Sequence, residues 1–378
     1  MYRDVQFMGG IHDPGIAAQI TSAFAGQGRL EDMAATGGTN RWLNEYWVGK
    51  IARPEMISCP VCCVASWTRA THTTGTLRAY GRLHPTLAKW LRIRNTQEWP
   101  DLYSYQPDLM RFFDRYLRDQ RDNRWEATPP VRLSALEYGN PEGDIVNRAE
   151  LEWPLKRTEY RRYHLHSSGK LVSDTPDDAD STVSYNAASG CTAFTYSFTE
   201  DMGTTGYFMA HLDVSCQGHE DMDIFVQIEK TDSHGWRKGS MELRPENTKV
   251  KALLLRMADW NTLPGAMGLL FHWGPDGWLR VSHGADKDEE LSTEYQPYFK
   301  HREEGMKKLR EGEVRSVDTG LRPCGMLWKA GDVLRFTVSG KPVIPFPIPG
   351  LRPAEIDNQG THSTHFRGSY LVAPHLPY

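Results

Sequence analysis

Residues 59–101 read CPVCCVASWTRATHTTGTLRAYGRLHPTLAKWLRIRNTQEWPD, and the fold is decided here. The apolar run Val61–Ala65 predicts a strand that ends in the polar cluster Ser66–Trp67–Thr68–Arg69. A helix is predicted over Thr74–Leu83, and a second short strand over Trp90–Ile93 ends in Arg94–Asn95–Thr96–Gln97–Glu98. Continuous apolar strands alternating with a helix indicate a parallel sheet covered on both faces. In such sheets chemistry collects in the loops at the carboxyl ends of the strands. The two polar clusters are therefore where an active site belongs.

Downstream, Leu109, Phe112, Phe113, Tyr116 and Leu117 fall at helical spacing and predict a helix docked on that sheet. Pro107 is placed near its first turn, with Asp108 favouring the positive end. Upstream, residues 1–50 predict helices and loops broken by Gly9–Gly10, Gly26, Gly28 and Gly37–Gly38. Their aromatic tail, Trp42 to Trp47, suits a cap lying on an apolar core.

The character changes beyond Asn123. Pro129–Pro130 and Gly139–Asn140–Pro141 mark a linker, and strand signals follow almost to the end. Phe208, Ala210, Leu212, Val214 and Cys216 alternate with polar neighbours; Met222, Ile224, Val226 and Ile228 repeat the pattern, as do Leu334, Phe336 and Val338. Period two with turn residues between strands predicts an antiparallel β-sandwich. The long connections Asp174–Ala188 and Glu242–Val250 favour a jelly roll over a meander.

The chain has 378 residues, enough for two cores, and a net charge of −4 gives no reason to expect nucleic acid as a partner. No apolar window is long enough to span a membrane, and MYRDVQFMGGIHDPG has no signal core. Six sparse cysteines fit buried thiols in a reduced, cytoplasmic protein, and Cys59-x-x-Cys62 lacks the second pair that zinc would need. No cofactor or metal is expected.

Several segments, in this order, carry a family resemblance: YRDV…GG (2–10), SWT…HTTGTL (66–77), KWLRIRNTQEWPDLY (89–103), RFFDRYL (111–117), TPPVRLS (128–134), GYFMAHLDVSCQGHEDMDIFVQIEK (206–230), LRVSH (279–283) and QGTHSTHFRGSYLVAP (359–374). The chain resembles the CocE/NonD acyl hydrolases, which are related to the Xaa-Pro dipeptidyl-peptidases. The resemblance implies α/β plus all-β: a partial α/β-hydrolase domain with cap helices over 1–125, then a galactose-binding-like jelly-roll β-sandwich over 126–378. It also implies ester or amide hydrolysis by a Ser–Asp–His triad.

Set against that triad, the residues disagree. The family's serine elbow lies upstream of the Tyr2–Gly10 segment, so the resemblance places it, with the first half of the sheet, outside this chain. The acid position falls at Arg69, and the histidine position at Arg94 or, in another register, Gln97. With His72 and Glu98 these residues outline a vestigial pocket with no intact catalytic residue. Arginine cannot act as a base near neutrality, since its pKa exceeds roughly 12. Loss of triad members costs on the order of 10⁴ to 10⁶ in rate.

Other groupings suggest chemistry less strongly. Glu98 and Asp101 flank Trp99 as a conceivable acid–base pair, but pairing with Arg92, Arg94 or Lys89 at the surface explains them better. His164-x-His166, His362 and His365 lack a third metal ligand, and Glu220–Asp223 and Asp286–Glu290 read as solvated acidic turns. Trp236, Trp273 and Trp278 are candidates for stacking on a sugar. The functional expectations are thus a hydrolase-family protein, an inactive relative kept as a binding or scaffold protein, or a β-sandwich ligand module. A small ester or peptide-like ligand, a homo-oligomer, or the missing N-terminal half supplied in trans are the expected partners.

Overall fold

The computed structural model describes residues 2–24, 31–97, 102–176, 181–242, 271–344 and 353–377. Two sheets dominate it. The smaller contains β1 (Val61–Ser66), β2 (Lys89–Arg94), β3 (Val131–Ala135) and β4 (Ile145–Glu150), in that order. β1, β2 and β3 run parallel, and β4 closes one side antiparallel. β1 forms the other edge.

Among the described residues, five α-helices accompany the sheets: α1 (Gly15–Ala23), α2 (Met33–Thr39), α3 (Glu45–Val48), α4 (Ala70–Arg82) and α5 (Leu102–Leu117). Alternation along β2 explains why helices cover both faces of the small sheet. Leu91 and Ile93 pack with Leu77 and Tyr80 of α4, and with Leu83 just beyond it, on one side. Trp90 turns the other way and meets Phe112, Tyr116 and Trp125.

The larger sheet is mainly antiparallel. Its strands include β5 (Glu159–His166), β6 (Cys191–Ser197), β7 (Met202–Gly206), β8 (Met209–Gln217), β9 (Asp223–Thr231), β10 (Asp276–Arg280), β11 (Arg315–Gly320), β12 (Cys324–Trp328), β13 (Val333–Ser339) and β14 (Thr361–Leu376). β9 lies between β10 and β13, and β14 pairs with β5, β7, β8 and Thr182–Asn186. One apolar core runs through both sheets, and Leu136 joins them by backbone bonds of 2.9 Å to Gly325 and Leu327.

Several local expectations are corrected. α4 begins at Ala70, not Thr74, because Arg69 caps it without a side-chain bond and leaves no cap signature in the sequence. α5 begins at Leu102, so Pro107 lies inside the helix, where it withholds one backbone donor. Arg92 and Arg94 are buried, not surface partners. Cys59 is exposed and Cys62 and Cys63 are half-buried, because β1 is an edge strand; all six thiols are free. Asp221 and Asp223 are buried, not solvated: Asp221 accepts from the Ser282 hydroxyl at 2.5 Å, and Asp223 takes a fork from Arg280 at 2.7 and 2.8 Å. His362 is buried as well, so it does not sit on an exposed strand face. Every residue of β9 is buried, on both faces, where alternation had suggested one wet side.

Candidate functional site

The carboxyl end of β1 is held by its own hydroxyls. Ser66 Oγ and Thr68 Oγ1 are 3.0 Å apart, and Thr73 donates to the carbonyls of Ser66 and, at 2.8 Å, Arg69. Trp67 is buried and donates its Nε1–H to Ser134 O at 2.5 Å. Gly325 permits this approach, since a Cβ there would stand 2.7 Å from Trp67 Nε1. Arg69 is half-buried in the cap position of α4, and His72 is exposed in the first turn of that helix.

At the end of β2 the side chains are spent on structure. The Arg94 guanidinium lies over the Tyr105 ring, 3.2 Å from its centroid, and Arg92 lies 2.9 Å from the same centroid. Arg92 also donates to Asn147 at 2.9 Å and pairs with Asp108, which Arg132 meets at 2.8 Å. Asn95 donates to Asp144 at 3.0 Å. Gln97 is buried and bonded twice to Glu242, through its backbone N–H at 3.2 Å and through its amide to the carboxylate. Glu98 and Asp101 lie outside the described residues, as does the connection 243–250.

The β1 and β2 ends therefore bring Arg69, His72, Arg94 and Gln97 to the face where a parallel sheet presents its chemistry. Two guanidiniums and an amide stand there as potential hydrogen-bond donors. None of those three can take a proton from a nucleophile at neutral pH.

A separate cavity of about 80 Å³ opens where the N-terminal segment meets α4 and the large sheet. Arg3, Thr74, Trp278, Tyr298, His301 and Arg322 are among its walls. The Gly9–Gly10 turn seats the N-terminal segment there. At Gly9, φ is +58°, and a Cβ would stand 1.9 Å from Trp278 O, so no other residue fits. Arg280 N donates to Gly9 O at 2.8 Å and completes the seam.

Sequence reading named Trp278 as a stacking candidate, and it does line this cavity, though its ring also meets Phe225 edge-on. Trp273 packs against Phe271, and Trp236 is exposed. Arg3, Tyr298, His301 and Arg322 were missed as a group, because they come from three distant segments with no shared spacing. The Gly9–Gly10 pair was the one available signal. Among the described residues, no three His, Cys, Asp or Glu side chains gather as a metal site.

Residues 123–370 match the model of the X-Pro dipeptidyl-peptidase C-terminal non-catalytic domain. The chain belongs to that family. Two crystal structures of a CocE/NonD family hydrolase from Staphylococcus aureus match all of this chain at 26% identity and a TM-score of 0.83. They are covered over 66% and 65% of their own length, so the chain spans just under two thirds of that hydrolase. An aminopeptidase from the marine sediment archaeon Thaumarchaeota archaeon (12% identity, TM-score 0.65, 70% of its chain) shares the fold alone. So does an α-amino acid ester hydrolase (14%, 0.64, 71%). In both cases all of this chain is matched. No curated protein matches the sequence.

The protein is thus CocE/NonD-like. Its mixed sheets with few helices resemble the C-terminal part of such hydrolases. Arg69, His72, Arg94 and Gln97 precede the matched non-catalytic domain, on the small parallel sheet.

Proposed function

We propose that this chain is the pocket-forming part of a CocE/NonD-type acyl hydrolase, and that it does not turn over ester or amide substrates by itself. The observation that carries this is the state of the β2 end. Arg94 is buried against Tyr105, and Gln97 is committed to Glu242, at the two positions where the family resemblance puts the base. A serine hydroxyl needs an imidazole within hydrogen-bond reach, and that imidazole needs a carboxylate to fix its tautomer. Arg69 supplies the opposite charge at the acid position.

The same proposal divides the chain into a partial α/β-hydrolase domain over 1–125 and a galactose-binding-like jelly roll over 126–378. The antiparallel pairing of β5 to β14 supports the second. Six free thiols suit a cytoplasmic location. Independent sugar binding has less support, since Trp278 and Trp273 already pack against phenylalanine rings.

The test is hydrolysis of p-nitrophenyl butyrate and of an Xaa-Pro p-nitroanilide, each against a buffer control. No turnover above buffer is expected. Turnover that survives Arg69→Ala and Arg94→Ala, but is abolished by an active-serine reagent, overturns the proposal.

A further inference from the structure

We infer that Ser215 is a nucleophilic serine, activated by His365, that takes one small acyl or phosphonyl group from an activated donor. Both side chains lie on the face of the large sheet turned away from the core. On β8, Ala210, Leu212, Val214 and Cys216 are buried inward, so His211, Asp213 and Ser215 point the other way. On β14, His362, Thr364 and Phe366 are buried inward, and Ser363 and His365 are half-buried on the opposite face.

The strand register assembles the group. Across β8 and β14, Ser215 is paired with Ser363 and Asp213 with His365, and Thr182 faces His365 from the other side of β14. Ser215 Oγ lies 2.9 Å from His365 Nε2, within the reach a general base needs. His365 Nδ1 lies 3.2 Å from Thr182 Oγ1. With the ring proton on Nδ1 and donated to Thr182, Nε2 accepts from the Ser215 hydroxyl. Nucleophile, base and orienting group then stand in the order that activates a serine. Asp213 accepts from the Ser316 hydroxyl instead, so Thr182 is the group that orients the ring.

The base is also fixed through its backbone. The pairing of β8 with β14 shifts register between His211 and Asp213, a device common beside reactive groups. Ser369 Oγ donates to His365 O and accepts from Asp213 N at 2.9 Å, which ties the two strands together at His365. Gly368 permits the close approach, since a Cβ there would stand 2.0 Å from Asp213 Oδ2.

In the step, the Oγ–acyl bond forms as the hydroxyl proton passes to Nε2. The bond to the leaving oxygen then breaks with its electron pair, and Nε2 returns the proton to that oxygen. Ser215 is 6% exposed, so the donor has to be small. A hydroxyl orients the ring without the charge a carboxylate supplies, so only an activated donor reacts, and the unactivated serine ester that forms persists. Such single acylation goes beyond the hydrolase proposal and is not turnover at the β2 end.

The full chain is treated with diisopropyl fluorophosphate and, separately, with p-nitrophenyl acetate, and the adduct is located by peptide mass spectrometry. One equivalent on Ser215 is expected, with a matching p-nitrophenol burst and no steady state. Ser215→Ala should lose the adduct, and His365→Ala should slow its formation at least about a hundredfold with unchanged circular dichroism. Thr182→Val should slow it about tenfold, and Thr182→Ser should restore it to within about threefold. Ser363→Ala, beside the pair, should stay within about twofold of wild type. No adduct, or an adduct on other residues only, overturns the inference and leaves the hydrolase proposal standing. A folded His365→Ala variant labelled at the wild-type rate, or equal rates for Thr182→Val and Thr182→Ser, does the same.

Discussion

The Nδ1 atoms of His283 and His301 lie 3.0 Å apart, inside the seam where the N-terminal segment meets the large sheet. One ring must donate and the other accept, so the accepting ring is neutral and the two cannot both carry a charge. Trp42 stacks on His283 at 5.2 Å, Tyr2 meets His301 edge-on, and Leu43 N donates to His301 O at 3.0 Å. The charged groups acting on the pair are Arg280 and Arg3, both cationic. Burial, aided by those cations, holds His283 down at about 4 and His301 well below its ordinary value.

A pH dependence follows. Between the ordinary histidine value and about 4, the unfolded chain binds protons that the native chain refuses, so stability rises with pH and is lost on acidification. Each such histidine contributes up to about 1.4 kcal/mol per pH unit in that window. Burial also pushes His272, His362 and His375 down to about 4, which steepens the slope. The urea midpoint should be lower at pH 5 than at pH 7. His301→Asn, which tolerates the φ of +53° there, should flatten the profile. Equal midpoints at the two pH values would contradict this account.

Lys230 predicts a large stability loss. It is buried, and its ammonium meets Asp332 at 2.6 Å, Glu137 at 3.0 Å and Leu327 O at 3.0 Å. Lys230→Ala leaves two carboxylates without their cation and should cost on the order of 3–5 kcal/mol. Denaturant unfolding measures it, and a loss below about 1 kcal/mol would refute the role of the cluster.

Arg94→Ala should be a stability variant and not an activity variant. Removing the guanidinium from Tyr105 forfeits a desolvated cation–π contact and the packing of the stem, at least about 2 kcal/mol together. Ester hydrolysis should stay at the buffer rate. A gain of turnover in this variant would mean that Arg94 was blocking a site instead of bracing one.

α5 predicts self-association. Tyr103, Met110, Phe113 and Leu117 share a second apolar stripe, with Tyr103 81% and Leu117 78% exposed. Exposed stripes of this kind mark association surfaces, and β1 adds an edge strand to the same half of the molecule. Sedimentation should show concentration-dependent oligomers that the pair Phe113→Lys and Leu117→Lys dissolves. A chain that stays monomeric throughout would remove α5 as a contact.

β1, β2 and the helix α5 were legible because apolar runs and helical spacing are local properties, but Phe113 and Leu117, read into the docked stripe, are exposed and only Phe112 of that stripe is buried. The start of α4 was not, since Arg69 caps it with backbone alone. The acidic group at 220–223 was misread because its partners Arg280 and Ser282 lie nearly sixty residues away, and sequence distance hides them. Family resemblance gave positions for Arg69 and Arg94, but not the burial of Arg94 or its ring partner. The cavity at Arg322 was beyond local reading, since it is assembled from the N-terminal turn, α4 and two later loops.

β14 has a consequence for the order of events in the cell. It is a 16-residue strand that pairs with β5, β7, β8 and Thr182–Asn186, all of which leave the ribosome before it. β7, β8 and β5 have earlier partners on their other sides, but the edges they offer β14 stay unpaired until residues 361–376 emerge, and the large sheet can close only then. The nascent sheet is therefore open to misassembly until residues 361–376 have emerged. Slow translation should harm its yield instead of helping it.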